Sequence, residues 1–189
     1  MQPPSLELPR SPGVQQSRLA FWLDLALNQA AWWYCILSAR LGHPFLAVLG
    51  PLSYVVGHVV AAPRTRPAVL ALSGAGALAG FAGDALLVRS GLLSFPPGFT
   101  LGPVAPFMVL LWAMFAVSLR GSSAFVTRLP GWQVALLGAA AGPLAYAGGE
   151  RLSVLELANG ALWAVSLEWA VAVPLLALAA RLETKQRRP

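Results

Sequence analysis

A small set of polar side chains with acid–base or hydrogen-bonding chemistry lies inside segments that are otherwise apolar. The candidate catalytic set consists of Asn28, His58, Asp84 and Tyr146. Two further carboxylic acids are candidates for a proton relay or for structural hydrogen bonds, Asp24 and Glu168. If the apolar segments cross a bilayer, each charged group near the midplane costs at least about 2.5–3.5 kcal/mol. Such groups are therefore expected to face the protein interior, each with a partner.

The depth of these residues follows from their position within each segment, because an α-helix rises about 1.5 Å per residue. The pairs that share a level, from the cytoplasmic end outward, are Asp24 with His58, Asn28 with Glu168, and Asp84 with Tyr146. Roughly 15 Å of depth separates Asp84 from His58 if both helices are straight. One active site containing both residues would need kinked or displaced helices, whereas a stepwise polar path would not.

Each candidate also has a structural explanation. Asp84 could pair with Arg89 at the headgroup level. Glu168 has no Lys or Arg inside any apolar segment to pair with, so it could be a neutral acid bonded to Asn28. His58 could be a packing residue, or it could shuttle protons with a neighbouring carboxylate. No second His or Glu stands at the helical spacing of a metal-binding pair with His58, so no metal site is predicted.

The first apolar segment carries a polar stripe. Its members follow the spacing i, i+4, i+8 and i+11, and they are Asp24, Asn28, Trp32 and Cys35. This spacing places them on one face of a helix, which in lipid must point inward. The stripe is either the wall of a polar site or a helix-packing seam. Cys35 is the only cysteine, so no internal disulfide can form.

Six long apolar runs must position these residues. They cover residues 19–39, 44–62, 67–88, 103–119, 132–148 and 158–180. Each is close to the about 17–25 residues that a helix needs to cross hydrocarbon. The chain is 11% charged, whereas charged residues make up about a quarter of soluble domains. The predicted fold is therefore all-α, a polytopic membrane protein with a bundle of six transmembrane helices.

Cations are concentrated at alternate breaks between these runs. One predicted end of the bundle holds Arg10, Arg18, Arg64, Arg66, Arg120, Arg128, Arg181, Lys185, Arg187 and Arg188. The other end holds only Arg40, Arg89 and Arg151. Because cytoplasmic segments carry the excess of Lys and Arg, both termini are expected in the cytoplasm. The predicted organisation is a disordered cytoplasmic tail over 1–17, a six-span domain over 18–182 and a basic cytoplasmic tail over 183–189.

Glycine and proline predict the local packing of the helices. Glycines four residues apart, which let two backbones approach closely, are Gly76 with Gly80 and Gly138 with Gly142. Packing within the chain is preferred to a dimer interface as their explanation. The prolines expected to kink their helices are Pro51, Pro143 and Pro174. The carbonyl groups that they leave free need partners from neighbouring helices or water.

The predicted partners are the lipid bilayer and, as a further hypothesis, other membrane proteins. The formal net charge is +6, but the basic residues stand at the ends of the apolar runs and form no basic helix face. Nucleic acid is therefore not expected as a partner. No residue pattern identifies a cofactor or an oligomeric state.

An ordered series of motifs runs through the apolar segments. It consists of Asn28-x-x-x-Trp32-x-x-Cys35, His58, Asp84-Ala-Leu-Leu, Gly91-Leu-Leu-Ser-Phe95, Leu111-Trp112-x-x-Phe115 with Leu119, Gly142-Pro143-Leu-Ala-Tyr146-x-Gly148 and Trp169. Over residues 22–180 this series resembles a bacterial inner-membrane family, domain of unknown function 2878. The resemblance implies a short multi-pass protein of the bacterial inner (plasma) membrane, in a family often encoded among genes for membrane-lipid modification. Phe107 stands where the family pattern is expected to have Trp, and Glu168 has no place in it.

Three functions from different classes remain open at this stage. The first is a protein of membrane-lipid metabolism, in particular an enzyme that modifies a lipid with His58, Asp84, Asn28 and Tyr146. The second is a carrier for a small solute or for protons. The third is a non-catalytic accessory subunit of a membrane enzyme. The resemblance implies no established activity, and the residues alone do not decide whether the protein is an enzyme.

Overall fold

The computed structural model describes residues 13–98, 100 and 102–185, and this part of the chain is mostly helical. The helices are α1 (Gly13–Arg40), α2 (Pro44–Ala47), α3 (Leu49–Ala61), α4 (Arg66–Arg89), α5 (Pro106–Ser118), α6 (Gly131–Arg151) and α7 (Ala161–Lys185). Short 3₁₀ turns occupy Pro63–Thr65 and Val126–Arg128, and two short strands are β1 (Leu93–Ser94) and β2 (Glu156–Leu157). The all-α architecture predicted from the sequence is confirmed.

Helical segments with the length and composition of membrane spans are present. Three segments of the described chain meet both conditions, Pro44–Ala61, Pro63–Arg89 and Ala161–Glu183. Helix α5 is apolar but shorter, with 13 residues. Each apolar run identified in the sequence overlaps a single helix, apart from the run over 44–62, which is divided between α2 and α3.

The division between α2 and α3 has its cause in Pro51. Proline has no backbone N–H, so Pro51 cannot bond the carbonyl oxygen four residues earlier, that of Ala47. Helix α2 ends at Ala47, and α3 begins two residues later, at Leu49. Pro143 and Pro174, in contrast, lie inside continuous helices.

The first and last helices, α1 and α7, extend beyond the apolar runs that predicted them. Helix α1 begins at Gly13, so residues 13–17 are helical, although a disordered tail was expected through residue 17. Helix α7 continues to Lys185, past the expected boundary at residue 182. Backbone hydrogen bonds propagate a helix beyond its hydrophobic part, because each added residue contributes one bond at little extra cost. The remainder of the predicted tails, 1–12 and 186–189, lies outside the described residues.

Helix α5 is the centre of the bundle. It packs against α1, α3 and α4, and most of its side chains are buried. Its sequence is apolar on all faces, as expected for a helix that is surrounded by others. Helix α4 also packs against α7, and α7 packs against α6. Within the described part of the chain, no extended packing joins α1 to α6, so a gap separates these two helices.

Contacts at the two ends of the bundle define the direction of each helix. At one end, β1 pairs antiparallel with β2, joining the loop after α4 to the loop after α6. At the other end, Arg120 Nη1 lies 3.0 Å from Glu183 Oε2, joining the end of α5 to the end of α7. Helices α4 and α6 therefore end where α5 and α7 begin. This alternation agrees with the arrangement predicted from the cations.

The glycine pairs pack within the chain, as predicted. A Cβ atom added to Gly80 would overlap the ring of Trp112 on α5, and one added to Gly76 would meet Ala116 Cβ on the same helix. A Cβ atom on Gly142 would meet the ring of Trp169 on α7. Because these glycines of α4 and α6 have no side chains, the bundle interior has room for the two tryptophans.

Candidate functional site

A cavity of about 300 Å³ lies in the gap between α1 and α6. Its walls are mostly apolar and aromatic. The lining side chains with polar atoms or large rings include Asn28, Gln29 and Trp32 from α1, Trp112 from α5, Tyr146 from α6 and Trp169 from α7. Residues of α1 line the cavity on one side and residues of α6 line it on the other. Apolar walls with a few polar groups are typical of sites for small molecules.

A tyrosine and an aspartate pair at the wall of this cavity. The Tyr146 hydroxyl donates a hydrogen bond to Asp84 Oδ1 across the interface of α6 and α4. Asp84 is wholly buried, with 0% of its surface exposed. Its second oxygen, Oδ2, has no hydrogen-bond partner among the described residues. Trp112 lies beside both groups. A hydroxyl held against a carboxyl group in this way can exchange a proton with a molecule in the cavity.

Pro143 shapes the segment of α6 that carries Tyr146. Because proline lacks an N–H, the carbonyl oxygen of Ala139, four residues earlier, has no donor within the helix. The Ser166 hydroxyl of α7 supplies that donor, with its Oγ 2.6 Å from Ala139 O. A neighbouring helix therefore satisfies the freed carbonyl group, as the sequence predicted, and the bond ties α6 to α7 close to the tyrosine.

Aromatic packing holds Tyr146 in place. The ring centroids of Trp112 and Trp169 are 4.8 Å apart, and Phe115 lies 5.3 Å from Trp169. Tyr146 meets the Trp169 ring edge to face at 6.4 Å. Such pairs add about 0.5–1.5 kcal/mol each beyond their buried area. With so many rings in contact, the tyrosine has little freedom to leave Asp84.

Glu168 brings a second carboxyl group to the same interior. It lies on α7, and its carboxyl group packs against Gly83 of α4, the residue next to Asp84. Both of its oxygens are buried, and neither has a hydrogen-bond partner among the described residues. The bond to Asn28 expected from their shared depth is not formed. Asn28 lies on the far side of the cavity on α1, where its amide oxygen accepts a bond from Gln29.

The pairing of Asp84 with Arg89 suggested by the sequence was also wrong. Five residues along a helix correspond to about 140° of rotation, so Asp84 and Arg89 point in different directions. Asp84 faces the interior and bonds Tyr146, whereas Arg89 is exposed at the end of α4. The aspartate therefore belongs to the interior site and not to the headgroup level.

A second polar cluster lies at the cation-rich end of the bundle, around Asp24. The Asp24 carboxylate accepts hydrogen bonds from the Tyr54 hydroxyl at 2.9 Å and from the backbone N–H of Ser122 at 2.5 Å. His58 Nε2 lies 2.9 Å from the same carboxylate. These partners come from α3 and from the loop after α5. Asp24 thus ties α1 to two other parts of the fold.

The geometry of His58 favours a charged imidazolium ring. Its Nδ1 atom lies 3.0 Å from the carbonyl oxygen of Tyr54, and its Nε2 atom faces the Asp24 carboxylate. Both neighbours are oxygen acceptors, so both ring nitrogens must carry a proton to bond them. His58 and Asp24 therefore form an ion pair that joins α3 to α1.

No metal centre is formed by either cluster. Among the described residues, no three His, Cys, Asp or Glu side chains converge as ligands for one ion. The Asp24 cluster borders an open groove of about 1190 Å³ between α1 and α3, which is separate from the cavity beside Tyr146. The polar groups at the Tyr146 cavity and in its wall include the hydroxyl of Tyr146, the carboxyl group of Asp84 and the amides of Asn28 and Gln29.

A family model matches residues 21–175, which is most of the chain. The chain belongs to the proteins of unknown function DUF2878. The match confirms the resemblance inferred from the motifs, and it includes Asp24, Asn28, His58, Asp84, Tyr146 and Glu168. No curated protein and no solved structure matches the chain.

In this DUF2878 protein, the sequence-predicted residues divide into two groups. Asp84 and Tyr146 meet directly, with Asn28 across the cavity and Glu168 behind its wall. His58 and Asp24 meet at the other end of the bundle. Asp84 stands about 27 Å along α4 from the cation-rich end, so His58 takes no part in its chemistry.

Two residues that bond Asp24, Tyr54 and Ser122, were not predicted from the sequence. Tyr54 precedes His58 by four residues, so helical spacing could have placed it beside Asp24. Ser122 contributes a backbone N–H, for which no sequence signal exists. The sequence identifies Trp112 and Trp169 only as parts of the motifs that resemble the family. Their position in the middle of apolar runs, away from the interfaces that tryptophan prefers in membranes, was the available signal.

Proposed function

We propose that the protein is a six-span membrane protein that binds a lipid-like molecule between α1 and α6 and modifies it by acid–base chemistry. The observation that carries the proposal is the position of Tyr146, which lines a mostly apolar cavity while its hydroxyl is held by the wholly buried Asp84.

The surface of the bundle supports six spans. Large apolar side chains that are more than half exposed occur on every long helix except α5, among them Leu27, Val60, Leu78, Leu144, Trp163 and Leu167. A water-soluble protein of this size rarely exposes contiguous apolar surface on all sides. Helix α5 is enclosed by the others, so it would cross the bilayer without needing a lipid-facing surface.

The position of the cavity between α1 and α6 supports a lipid-like ligand. A molecule with an apolar chain could pass from the bilayer into the gap between α1 and α6 without crossing water. Inside, the rings of Trp112 and Trp169 offer apolar contact, while Asn28 and Gln29 offer amide groups to a polar head. This combination of apolar walls with a few placed polar groups suits an amphipathic molecule.

The contact between Tyr146 and Asp84 supports acid–base chemistry. A ligand hydroxyl placed against the Tyr146 oxygen could lose its proton to Tyr146 while the tyrosine proton moves to Asp84 Oδ1. The reverse transfer would protonate a leaving oxygen in a later step. In this scheme Tyr146 is the catalytic residue and Asp84 is a positioning residue that accepts the proton. General acid–base catalysis of this kind contributes about 10²–10⁴-fold to a rate.

The test of this function is a comparison of membrane lipids in cells that carry the gene, lack it, or carry Tyr146→Phe. We expect one lipid species to accumulate equally in the deletion and in Tyr146→Phe, because phenylalanine keeps the ring packing but removes the hydroxyl. Tyr34→Phe is the matched control, since Tyr34 is 45% exposed and lies outside the cavity. An unchanged lipid profile in the deletion strain would reject the enzyme and favour the carrier or the accessory subunit.

The orientation proposed for the bundle places both termini in the cytoplasm. The cation-rich end carries Arg64, Arg66 and Arg120, and the opposite end carries Arg40, Arg89 and Arg151. We expect a reporter fused after Arg188 to indicate the cytoplasm, and one inserted at Pro97 to indicate the opposite side. A Pro97 insertion that reports the cytoplasm would overturn the orientation.

A further inference from the structure

Two carboxyl groups occupy the interior behind the cavity, and no cation among the described residues forms an ion pair with either of them. Asp84 comes from α4 and Glu168 from α7, two helices that pack together. Asp84 Oδ1 accepts the hydrogen bond of the Tyr146 hydroxyl, and the Trp112 side chain of α5 lies beside the aspartate. The three remaining oxygens, Asp84 Oδ2 and both of Glu168, are buried and unpartnered. Such atoms are uncommon in folded proteins and call for an explanation.

Gly83 allows the two carboxyl groups to be neighbours. The Glu168 carboxyl group lies where the first atom of any side chain at position 83 would be. Gly83 is adjacent to Asp84 in the sequence, so the missing side chain brings Glu168 close enough to interact electrostatically with both Asp84 and Tyr146. The other group packed against these residues is Trp112 of α5, which does not titrate. Asp84, Glu168 and Tyr146 are therefore close enough to affect one another's charge, and none of them forms an ion pair with a cation of the described residues.

Two full negative charges are not stable in such a place. Burying an unpaired carboxylate costs several kcal/mol, and a second one beside it adds repulsion at low dielectric. A single proton on the pair removes the repulsion, because it neutralises one of the two carboxyl groups. The one remaining negative charge is stabilised at Asp84, whose Oδ1 accepts the hydrogen bond of the Tyr146 hydroxyl.

We propose that Asp84 and Glu168 together hold one exchangeable proton and that this pair exchanges it with the cavity through Tyr146. The inference deepens the proposed function, and it depends on that function only for the destination of the proton. When Tyr146 takes a proton from a ligand hydroxyl, its own proton moves to Asp84 Oδ1, and the pair then holds two. When the ligand is reprotonated, the pair returns to one. Glu168 is thus a positioning residue that acts through Asp84 and allows the pair to take up the second proton.

The experiment is infrared difference spectroscopy on the purified full-length protein in lipid nanodiscs, without any ligand. We expect a C=O stretching band of a protonated carboxyl group at neutral pH, shifted by transfer into D₂O. The band should be lost in Glu168→Gln and displaced or lost in Asp84→Asn. Glu156→Gln, at an exposed glutamate in β2, is the matched control and should leave the band unchanged. Only variants that elute as a single species would be compared.

The outcomes separate this inference from the proposed function. A spectrum with no protonated carboxyl band, or a band that survives in both Glu168→Gln and Asp84→Asn, would overturn the shared proton. Loss of the wild-type band when Na⁺ replaces a large organic cation in the buffer would also overturn it, because the pair would then bind a metal cation. None of these results would decide the lipid comparison. That comparison could show no accumulated lipid species even when the carboxyl band is present. If both variants unfold, Gly83→Ala offers another test, because its Cβ displaces Glu168 and should shift the band.

Discussion

Replacing Asp24 by Ala is expected to destabilise the protein by on the order of 3 kcal/mol. The substitution leaves three groups that were bonded to the carboxylate without a partner: the His58 ring, the Tyr54 hydroxyl and the backbone N–H of Ser122. The imidazolium of His58 would also lose its counter-charge. The free energy of unfolding can be measured by steric trapping in micelles.

Two comparisons test the reason for this effect. Gln29→Ala changes an exposed polar residue on the same helix and should alter the free energy of unfolding by less than about 0.5 kcal/mol. Asp24→Ala combined with His58→Ala should cost little more than Asp24→Ala alone, because the two residues act as one unit. A loss below 1 kcal/mol for Asp24→Ala would mean that apolar packing alone anchors α1.

Gly80→Ala is expected to destabilise the bundle by about 1–3 kcal/mol, although alanine is the better helix former. The added Cβ atom overlaps the Trp112 ring, which is held in turn by Trp169 and Phe115 and cannot move away easily. The clash would separate α4 from α5 and disturb the wall of the cavity. Thermal unfolding of the detergent-solubilised protein would measure the loss.

Gly74→Ala provides the matched control on the same helix. A Cβ atom added there meets nothing within 4 Å, so the higher helix propensity of alanine should make the change neutral or stabilising by up to about 1 kcal/mol. Equal effects of Gly80→Ala and Gly74→Ala would contradict the role assigned to the Trp112 contact.

The sequence was most informative about features that repeat along the chain. Apolar runs predicted the helices, because each run is close to the length that a helix needs to cross hydrocarbon. The alternating cations agree with the alternating helix directions in the structure. The common rise of α-helices also predicted that Asp24 would lie level with His58, and Asp84 level with Tyr146. Both pairs are in contact.

The same estimate from helical rise predicted a hydrogen bond between Asn28 and Glu168, and this bond is not formed. Depth fixes only one of the three coordinates of a side chain, and these two residues lie in different surroundings. Asn28 lines the cavity from α1, whereas Glu168 packs against Gly83 of α4. Rotation and neighbour choice depend on where side chains are missing, as at Gly83, where the Glu168 carboxyl group sits. A glycine in a sequence does not indicate which distant residue will use its space.

By itself the sequence determined that the chain is helical, how its helices alternate and its family, and it predicted the pairing by level of Asp24 with His58 and of Asp84 with Tyr146. Only the tertiary structure decided that Asp84 and Tyr146 meet beside a cavity between α1 and α6, and that Asp24 also bonds the backbone of Ser122. The short pairing of β1 with β2 was equally unpredictable. The physical reason is that hydrophobicity, charge and helical rise act locally along the chain. A gap between two helices or a bond to a backbone N–H depends on how all the helices pack together.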